Sequence, residues 1–345
     1  LPLLSPTGRK RTSIPSSSSC SNPLIECGGR TGLPPFYEKD TANRPSEMKG
    51  YNYIIVLFWV FALSGCIRDD GSGLDCERTR ISFYYYGDVP GQCRFLEKSD
   101  NVTLFVYDSD GNLVARRTKS GADLQAHKGV NLNLPDGNYS LVAWTNLTDG
   151  TEIHDAEQLS KAVLGSAAYY AGDPIIHHEN DRVYFATKKI TVVQSQFRDE
   201  ELLFDQAHIP LHVHVTGAAA PATRATAPIE VDIVNLHPQM GFDGASASAL
   251  KSVYRAQLAY DAETGDYVAR VNAFRFLNDN DIRLKLSNSG GEICYKTVEL
   301  ADFMNEHAIS VEDKDEAEIA IRFRFNNTSV EVAPWEEEDI DPIQK

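Results

Sequence analysis

From residue 101 onward, apolar and polar positions alternate every second residue in short runs broken by turn residues. "NVTLFVYD" (101–108) sets Val102, Leu104 and Val106 against Thr103, Phe105 and Tyr107, the period of a strand with two distinct faces. Asp110-Gly111 then turns the chain into "NLVARRT" (112–118), a strong hairpin signal. "GVNLNL" (129–134) leads through Pro135-Asp136-Gly137 into "NYSLVAWT" (138–145), which reads as a second hairpin. "RVYFATKKITVVQSQ" (182–196) is rich in β-branched and aromatic residues. Between Trp144 and Arg182 the pattern dissolves into a long connection, with room for a short helix within 156–170.

A second round of strands starts near residue 207. "IPLHVHVTG" (209–217) alternates cleanly. It is followed by "IEVDIVNL" (229–236), "SVYRAQLAYD" (252–261), "YVARVNAFRFL" (267–277), "DIRLKLS" (281–287) and "EICYKTV" (292–298). "ELADFMNEHA" (299–308) reads as a short helix and "AEIAIRFRF" (317–325) as a last strand. No helix is long enough for a parallel α/β sheet. Many short alternating runs predict an all-β fold of antiparallel sandwiches. Two rounds predict two sandwiches in tandem, over 76–206 and 207–335, joined near 205–208 and followed by an acidic tail, 336–345.

Upstream the pattern is of another kind. Met48 and Lys49 supply a start and a positive charge, Ile54 to Leu63 about ten apolar residues, and Ser64-Gly65 the small residues of a cleavage site. That is the layout of a secretory signal, and it is shorter than the ~20 apolar residues a bilayer span needs. Leu63-Ser64-Gly65-Cys66 looks like a bacterial lipobox, in which the cysteine is diacylated and becomes the new N-terminus. Residues 48–65 are then the signal peptide, Cys66 the lipidation site and 66–75 a linker. Residues 1–47 hold a serine run and many prolines without periodicity. They are read as a disordered upstream extension of the reading frame.

Processing changes the charge and cysteine counts. Residues 1–47 carry six Lys/Arg against four Asp/Glu, and Lys49 adds one more cation, so removal takes the net charge from −16 to −19. Such a chain does not bind nucleic acid through a phosphate-neutralising patch. It is also repelled by anionic lipid, so attachment to a membrane falls to the acyl chains. Of the remaining cysteines, Cys76 and Cys93 bracket "RISFYYYGDVPGQ" and, outside the cytoplasm, are expected to pair. Closing that loop would stabilise by about 3 kcal/mol in the chain-entropy model. Cys294 is expected to be a buried, reduced, apolar side chain.

The search for catalytic chemistry finds no GxSxG, HExxH, Walker loop or GxGxxG, and predicts neither an enzyme nor a cofactor. Asp108-Ser109-Asp110-Gly111 lacks the later acidic ligand of a calcium loop and sits where a hairpin wants Asp and Gly. In "PLHVHV" the period of two puts His212 and His214 on the face opposite Leu211, Val213 and Val215. Two such histidines can share a metal if a third or fourth ligand joins them. The plainer reading is a solvated strand face, so no metal site is assigned.

One ordered set of segments remains: lipobox, Cys76, "ISFYYY", Cys93, "VTLFVYDSDGNLV", "LNLPDGNYSLVAWTN" and, much later, "EIAIRFRFNNTSVEVAPW". Over roughly residues 60–335 this resembles the FimB-type (minor-fimbrium anchor) fimbrial lipoproteins of Gram-negative oral and gut anaerobes. The resemblance implies two tandem transthyretin-like β-sandwich domains, held at the outer membrane and facing outward through acylated Cys66. It implies a fimbrial shaft subunit as partner, and a role in tethering the fimbrium and ending its growth. Arg68-Asp69-Asp70 looks like the acidic tag that sends such lipoproteins to the outer face.

In that family the contact is β-strand complementation, an extended segment of one subunit filling an unpaired edge of the next. Shaft subunits are cut after a basic residue near the first strand, which opens a groove. Arg78, Arg80 and Arg94 lie in that neighbourhood here. A Cys76–Cys93 bridge would hold the first strand even after a cut. The tail beyond Trp335 is acidic and interrupted by Pro342, poor material for a donor strand. Both features suit an end-of-chain subunit, whether base, tip or regulatory. The alternative is a surface glycan-binding lipoprotein, for which Trp144 is the candidate platform if it is not core.

Overall fold

The computed structural model describes residues 79–89, 91–177, 179–193, 196–221, 229–245, 250–326 and 329–335. The predicted signal peptide, Cys66, Cys76, Arg78 and the acidic tail lie outside these residues. In the first half the elements are β1 (Thr79–Tyr84), α1 (Phe95–Lys98), β2 (Asn101–Tyr107), β3 (Leu113–Ser120), α2 (Gly121–Ala126), β4 (Gly129–Leu132), β5 (Gly137–Thr145), β6 (Thr151–His154), β7 (Val163–Ser166), α3 (Ala167–Tyr170), β8 (Ile175–Ile176), β9 (Tyr184–Val192), β10 (Arg198–Leu203) and β11 (Asp205–Gln206). The second half holds β12 (His208–Thr216), β13 (Ile229–Leu236), β14 (Gln239–Gly241), β15 (Ser252–Ala256), β16 (Ala259–Asp261), β17 (Asp266–Phe274), β18 (Arg283–Asn288), β19 (Cys294–Glu299), α4 (Leu300–Glu306), β20 (Ile319–Phe325) and β21 (Val330–Pro334).

Two sandwiches of one topology result. In the first, sheet β10-β1-β4 covers sheet β11-β9-β5-β2-β3. Ile81 and Phe83 of β1 meet Leu104, Leu141 and Ala186 of the opposite sheet in one core. In the second, sheet β16-β17-β12-β20-β21 covers β19-β18-β13-β15-β8. There Leu211, Val213 and Phe323 meet Ile233, Leu284 and Leu286. The repeat shows in the pairing. β1 has an antiparallel neighbour, β4, and a parallel one, β10; β12 has β17 and β20 in the same senses. The facing order β3-β2-β5-β9 likewise recurs as β15-β13-β18-β19. The fold is all-β, two transthyretin-like sandwiches, with mixed sheets where purely antiparallel ones were expected.

Other expectations change in detail. β4 and β5 do not form a hairpin: β4 pairs with β1, while β5 pairs with β2 and β9 in the opposite sheet. Pro135-Asp136-Gly137 marks where the chain leaves a strand, but a turn signal does not say which ladder it joins next. Residues 252–261 split in the same way, β15 into one sheet and β16 into the other. β10 was not anticipated, because "RDEELL" shows only Leu202 to the core. Cys294 is exposed on β19, not buried. Its strand is the outermost of its sheet, and of that strand only Val298 is buried.

The connection 146–182 is not a passive link. β6 and β7 join β14 of the second half in a small sheet, β14-β7-β6. It lies over the outer face of the first sandwich, where Phe105, Tyr107, Val142 and Trp144 would otherwise meet water. β8 adds in parallel to β15 of the second sandwich. Each half therefore lends a strand to the other, and a shared apolar cluster seals the joint.

Candidate functional site

β1 is a central strand. Thr79–Tyr84 pair with β10 along their whole length, and Thr79–Ser82 pair with β4 on the other side. Ile81, Phe83 and Tyr85 are almost completely buried, and Phe83 packs on Phe95 and Phe204 at 5.5 and 5.7 Å. The groove that loss of this strand would open is thus filled by the chain's own side chains. Arg80 sits within the strand, opposite Asp199 and Asn131. Cys93 packs against the same core. The adjoining Arg94 N–H donates to the Tyr85 carbonyl at 2.7 Å, fastening this loop to the end of β1.

The same loop grips the second sandwich. Glu316, just ahead of β20, accepts from Lys98 at 2.9 Å, Tyr85 Oη at 3.0 Å and Arg94 Nη1 at 3.2 Å. Asp88 accepts the Asp315 and Glu316 amides at 2.9 and 3.3 Å. Gly87 has φ +58°, and a Cβ there would stand 2.9 Å from Glu316 Oε1, so this turn needs glycine on two counts. Gln206 Oε1 accepts the Ala317 amide at 2.7 Å, and Arg275 ties the Val311 and Lys314 carbonyls to the joint. Arg94, one of the basic residues marked as a possible cut point, is therefore half of an interdomain clamp.

Burial alone would raise the Glu316 pKa, but hydrogen bonds from Lys98 and Tyr85 and the charges of Lys98 and Arg94 outweigh it and hold the carboxyl below its ordinary value. A carboxylate lowered on folding stabilises fully above its unfolded pKa, and that contribution is lost as pH falls through the folded one. Acidification below the ordinary carboxylate range should therefore loosen the joint. Glu316→Gln should lower stability at pH 7 by about 1–3 kcal/mol, leaving Lys98 and Arg94 without their counter-charge. It should also lose less further stability on acidification than the wild type. Calorimetry at pH 7 and 3.5 checks this; parallel losses in both proteins would assign the acid sensitivity to other groups.

The histidines separate. His208 opens β12 at the joint, with Nδ1 3.0 Å from the Val183 carbonyl and its ring edge-on to Tyr184. Burial pushes its pKa down to about 4; the Val183 bond opposes this, and Arg270, Arg182 and Lys98 add to it. It is neutral at physiological pH. His212 and His214 do share the outward face of β12, but that face is not simply solvated. His214 lies 3.0 Å from Asp266 and 4.6 Å from the Trp335 ring, and His212 lies 3.8 Å from Glu318. Among the described residues no group of three His, Cys, Asp or Glu is placed to hold a metal. Trp144 is fully buried against Phe185 and Phe242, so it is core and not a platform.

Open edges are few. β8 and β11 are two residues each. β3 carries Arg116, Arg117 and Lys119 along its edge, charges that discourage strand addition. β19 is more permissive, with Tyr295 40% exposed and Ile293 beside it 55% exposed. Among the described residues no helix is long and apolar enough to cross a membrane.

Two sandwiches of one topology, fused by exchanged strands and a shared core, define a tandem β-sandwich protein. The chain belongs to the family of fimbrillin-A associated anchor proteins Mfa1 and Mfa2, whose model matches residues 72–341. Similar solved structures include the fimbrial anchor protein Mfa2 from Porphyromonas gingivalis, with a TM-score of 0.58 at 14% identity, covering 74% of this chain and 97% of that one. A protein from Bacteroides thetaiotaomicron, described as a candidate polysaccharide-binding protein, gives 0.61 at 16% identity, covering 75% and 98%. One from Bacteroides ovatus, described as a candidate adhesin, gives 0.60 at 13% identity, covering 74% and 94%. At these identities the likeness is one of fold. No curated protein matches the sequence.

Proposed function

We propose that this chain is an outer-membrane lipoprotein that tethers a fimbrium to the cell surface and ends its assembly. Membership of the anchor family over residues 72–341 is the observation that carries the reading. Attachment is through diacylated Cys66, because two acyl chains give the stable anchoring that one does not, and an acidic chain gains nothing from anionic lipid. The role is structural, with no catalytic step. Contact with the fimbrial shaft subunit is β-strand complementation at an open sheet edge.

Termination follows from the first strand. A subunit passes growth on when its groove is empty; here β1 fills it, laddered on both sides. A Cys76–Cys93 bridge adds a covalent hold, so that a cut at Arg78 or Arg80 would not release the strand. A non-reducing digest is expected to yield a Cys76–Cys93-linked peptide with Cys294 free; both thiols free in protein from the native host would remove the covalent part of the lock.

Deleting the gene should shed fimbriae into the medium and lengthen them, as read by electron microscopy of cells and supernatant. Unchanged length and attachment, with growth failing on one polysaccharide, would replace this reading with the glycan-binding one.

A further inference from the structure

Asp88, Glu97, Asp100, Asp181, Glu316 and Glu318 line the cleft between the sandwiches beside Lys98, Arg182 and Arg270, and most of these carboxylates are already hydrogen-bonded, Glu97 to Arg94 at 3.1 Å. Asp181 accepts from the Thr148 amide at 2.8 Å, from Thr151 Oγ1 at 2.6 Å and from the Thr148 hydroxyl. Glu316 and Asp88 are spent on the clamp described above, and Glu179 accepts from Asn272 at 2.7 Å. Glu318 is largely exposed and turned toward His212. The cations differ. Lys98 is paired with Glu316, but Arg182 and Arg270 form no side-chain hydrogen bond or ion pair among the described residues. Both line one cleft of about 690 Å³, within the range that holds a ligand or a few side chains.

Arg270 is the more unusual of the two. It stands on β17 opposite His212, and its Nε is buried without a partner. Burial and then the neighbouring charge of Arg182 push the guanidinium down from its ordinary value, with Glu179 and Glu318 opposing. Arg182 is held in place from behind, its carbonyl accepting from Asn146 Nδ2 at 2.9 Å, while Asn146 also bonds the Lys98 carbonyl and the Asp100 amide. His208, beside them, is neutral and supplies no counter-charge. A half-buried guanidinium whose buried Nε has no partner, next to a second, exposed arginine, is stabilised by an anion at contact distance. Its planar fork matches a carboxylate bidentately.

We propose that the interdomain cleft holding Arg182 and Arg270 receives acidic side chains from an extended segment of the partner fimbrial subunit. This rests on the anchoring role proposed above and adds to it the chemistry of the partner's segment. The overall negative charge does not forbid the contact. At physiological salt, charges beyond about 8 Å are largely screened, and the two arginines act at contact distance.

The test uses the full lipid-free chain from residue 67 onward and two probes. By calorimetric titration, the capped peptide Ac-(Asp-Glu)3-NH2 should bind the wild type and weaken with added salt, while Ac-(Asn-Gln)3-NH2 should not bind. Arg182→Gln/Arg270→Gln should weaken the acidic peptide at least tenfold while keeping the wild-type melting temperature. Should the double variant not fold, Arg270→Lys serves, which keeps the charge but not the fork and should bind several-fold more weakly than the wild type. Equal binding of the acidic peptide by wild type and variants overturns the proposal, as does binding of inorganic phosphate without binding of the peptide. In a second arm, native fimbriae are captured on immobilised protein. Capture lost in the double variant supports the proposal. Capture unaffected by it overturns the cleft and leaves the anchor reading intact, whereas peptide binding without any capture of fimbriae overturns the anchor reading.

Discussion

Truncating Phe242 to alanine is expected to lower unfolding stability by about 3–5 kcal/mol and to turn one melting transition into two. Phe242 follows β14 in the second half of the chain, yet its ring lies among side chains of the first. It stands 5.1 Å from Phe105, 5.8 Å from Trp144 and 6.4 Å from Tyr107, and it is 2% exposed. Its amide donates to the Ala162 carbonyl at 3.2 Å. Removing the ring leaves a cavity in an apolar cluster to which both halves contribute, while the core inside each sandwich is left in place. The fall in melting temperature should be on the order of 10 °C. Phe323→Ala serves as the control, since Phe323 is fully buried within the second sandwich alone and its loss should destabilise that core without separating the transitions. A single cooperative transition in both variants would mean that the clamp at Glu316 and the β8–β15 pairing hold the halves together without the cluster.

That joint was the part of the molecule least visible in the sequence. The alternating runs gave β2, β5, β12, β13, β17 and β20 with little error, because a strand with one face in a core must alternate. The hairpin at Asp108-Ser109-Asp110-Gly111 was equally legible. Asp108 Oδ1 accepts the Asp110 and Asn112 amides at 2.9 and 2.8 Å, and Gly111 takes φ +80°. These are local demands, satisfied within a few residues. Partnership between strands is not local. β10 carries mostly charged residues and is recruited because β1 needs a second neighbour. β8 is too short to leave any period. In the run "VEDKDEAE" nothing sets Glu316 apart from Glu312, although Glu316 alone closes on Arg94 and Lys98, more than two hundred residues earlier. Arg182, just ahead of β9, and Arg270, within β17, are ordinary arginines until the fold places them in one cleft without a partner among the described residues.

A Cys66→Ala chain is expected to separate two activities that deletion of the gene removes together. The lock on the first strand uses β10, β4, the core positions Ile81 and Phe83, and the loop that carries Cys93 and Arg94. None of these residues depends on acylation. The variant should therefore fold and still close the end of a growing filament, while nothing holds it in the membrane. Fimbriae should appear in the medium as in the deletion strain, but with lengths returned toward those of the wild type. The effect on attachment should be near complete, because an acidic surface offers no second means of holding an anionic membrane. The deciding measurement is the length distribution of shed filaments in three strains, together with fractionation of the variant protein. If the Cys66→Ala strain sheds filaments as long as those of the deletion strain, despite normal amounts of folded soluble protein, then termination requires the membrane and not the filled groove. If the variant stays in the outer membrane, the lipid is not the anchor.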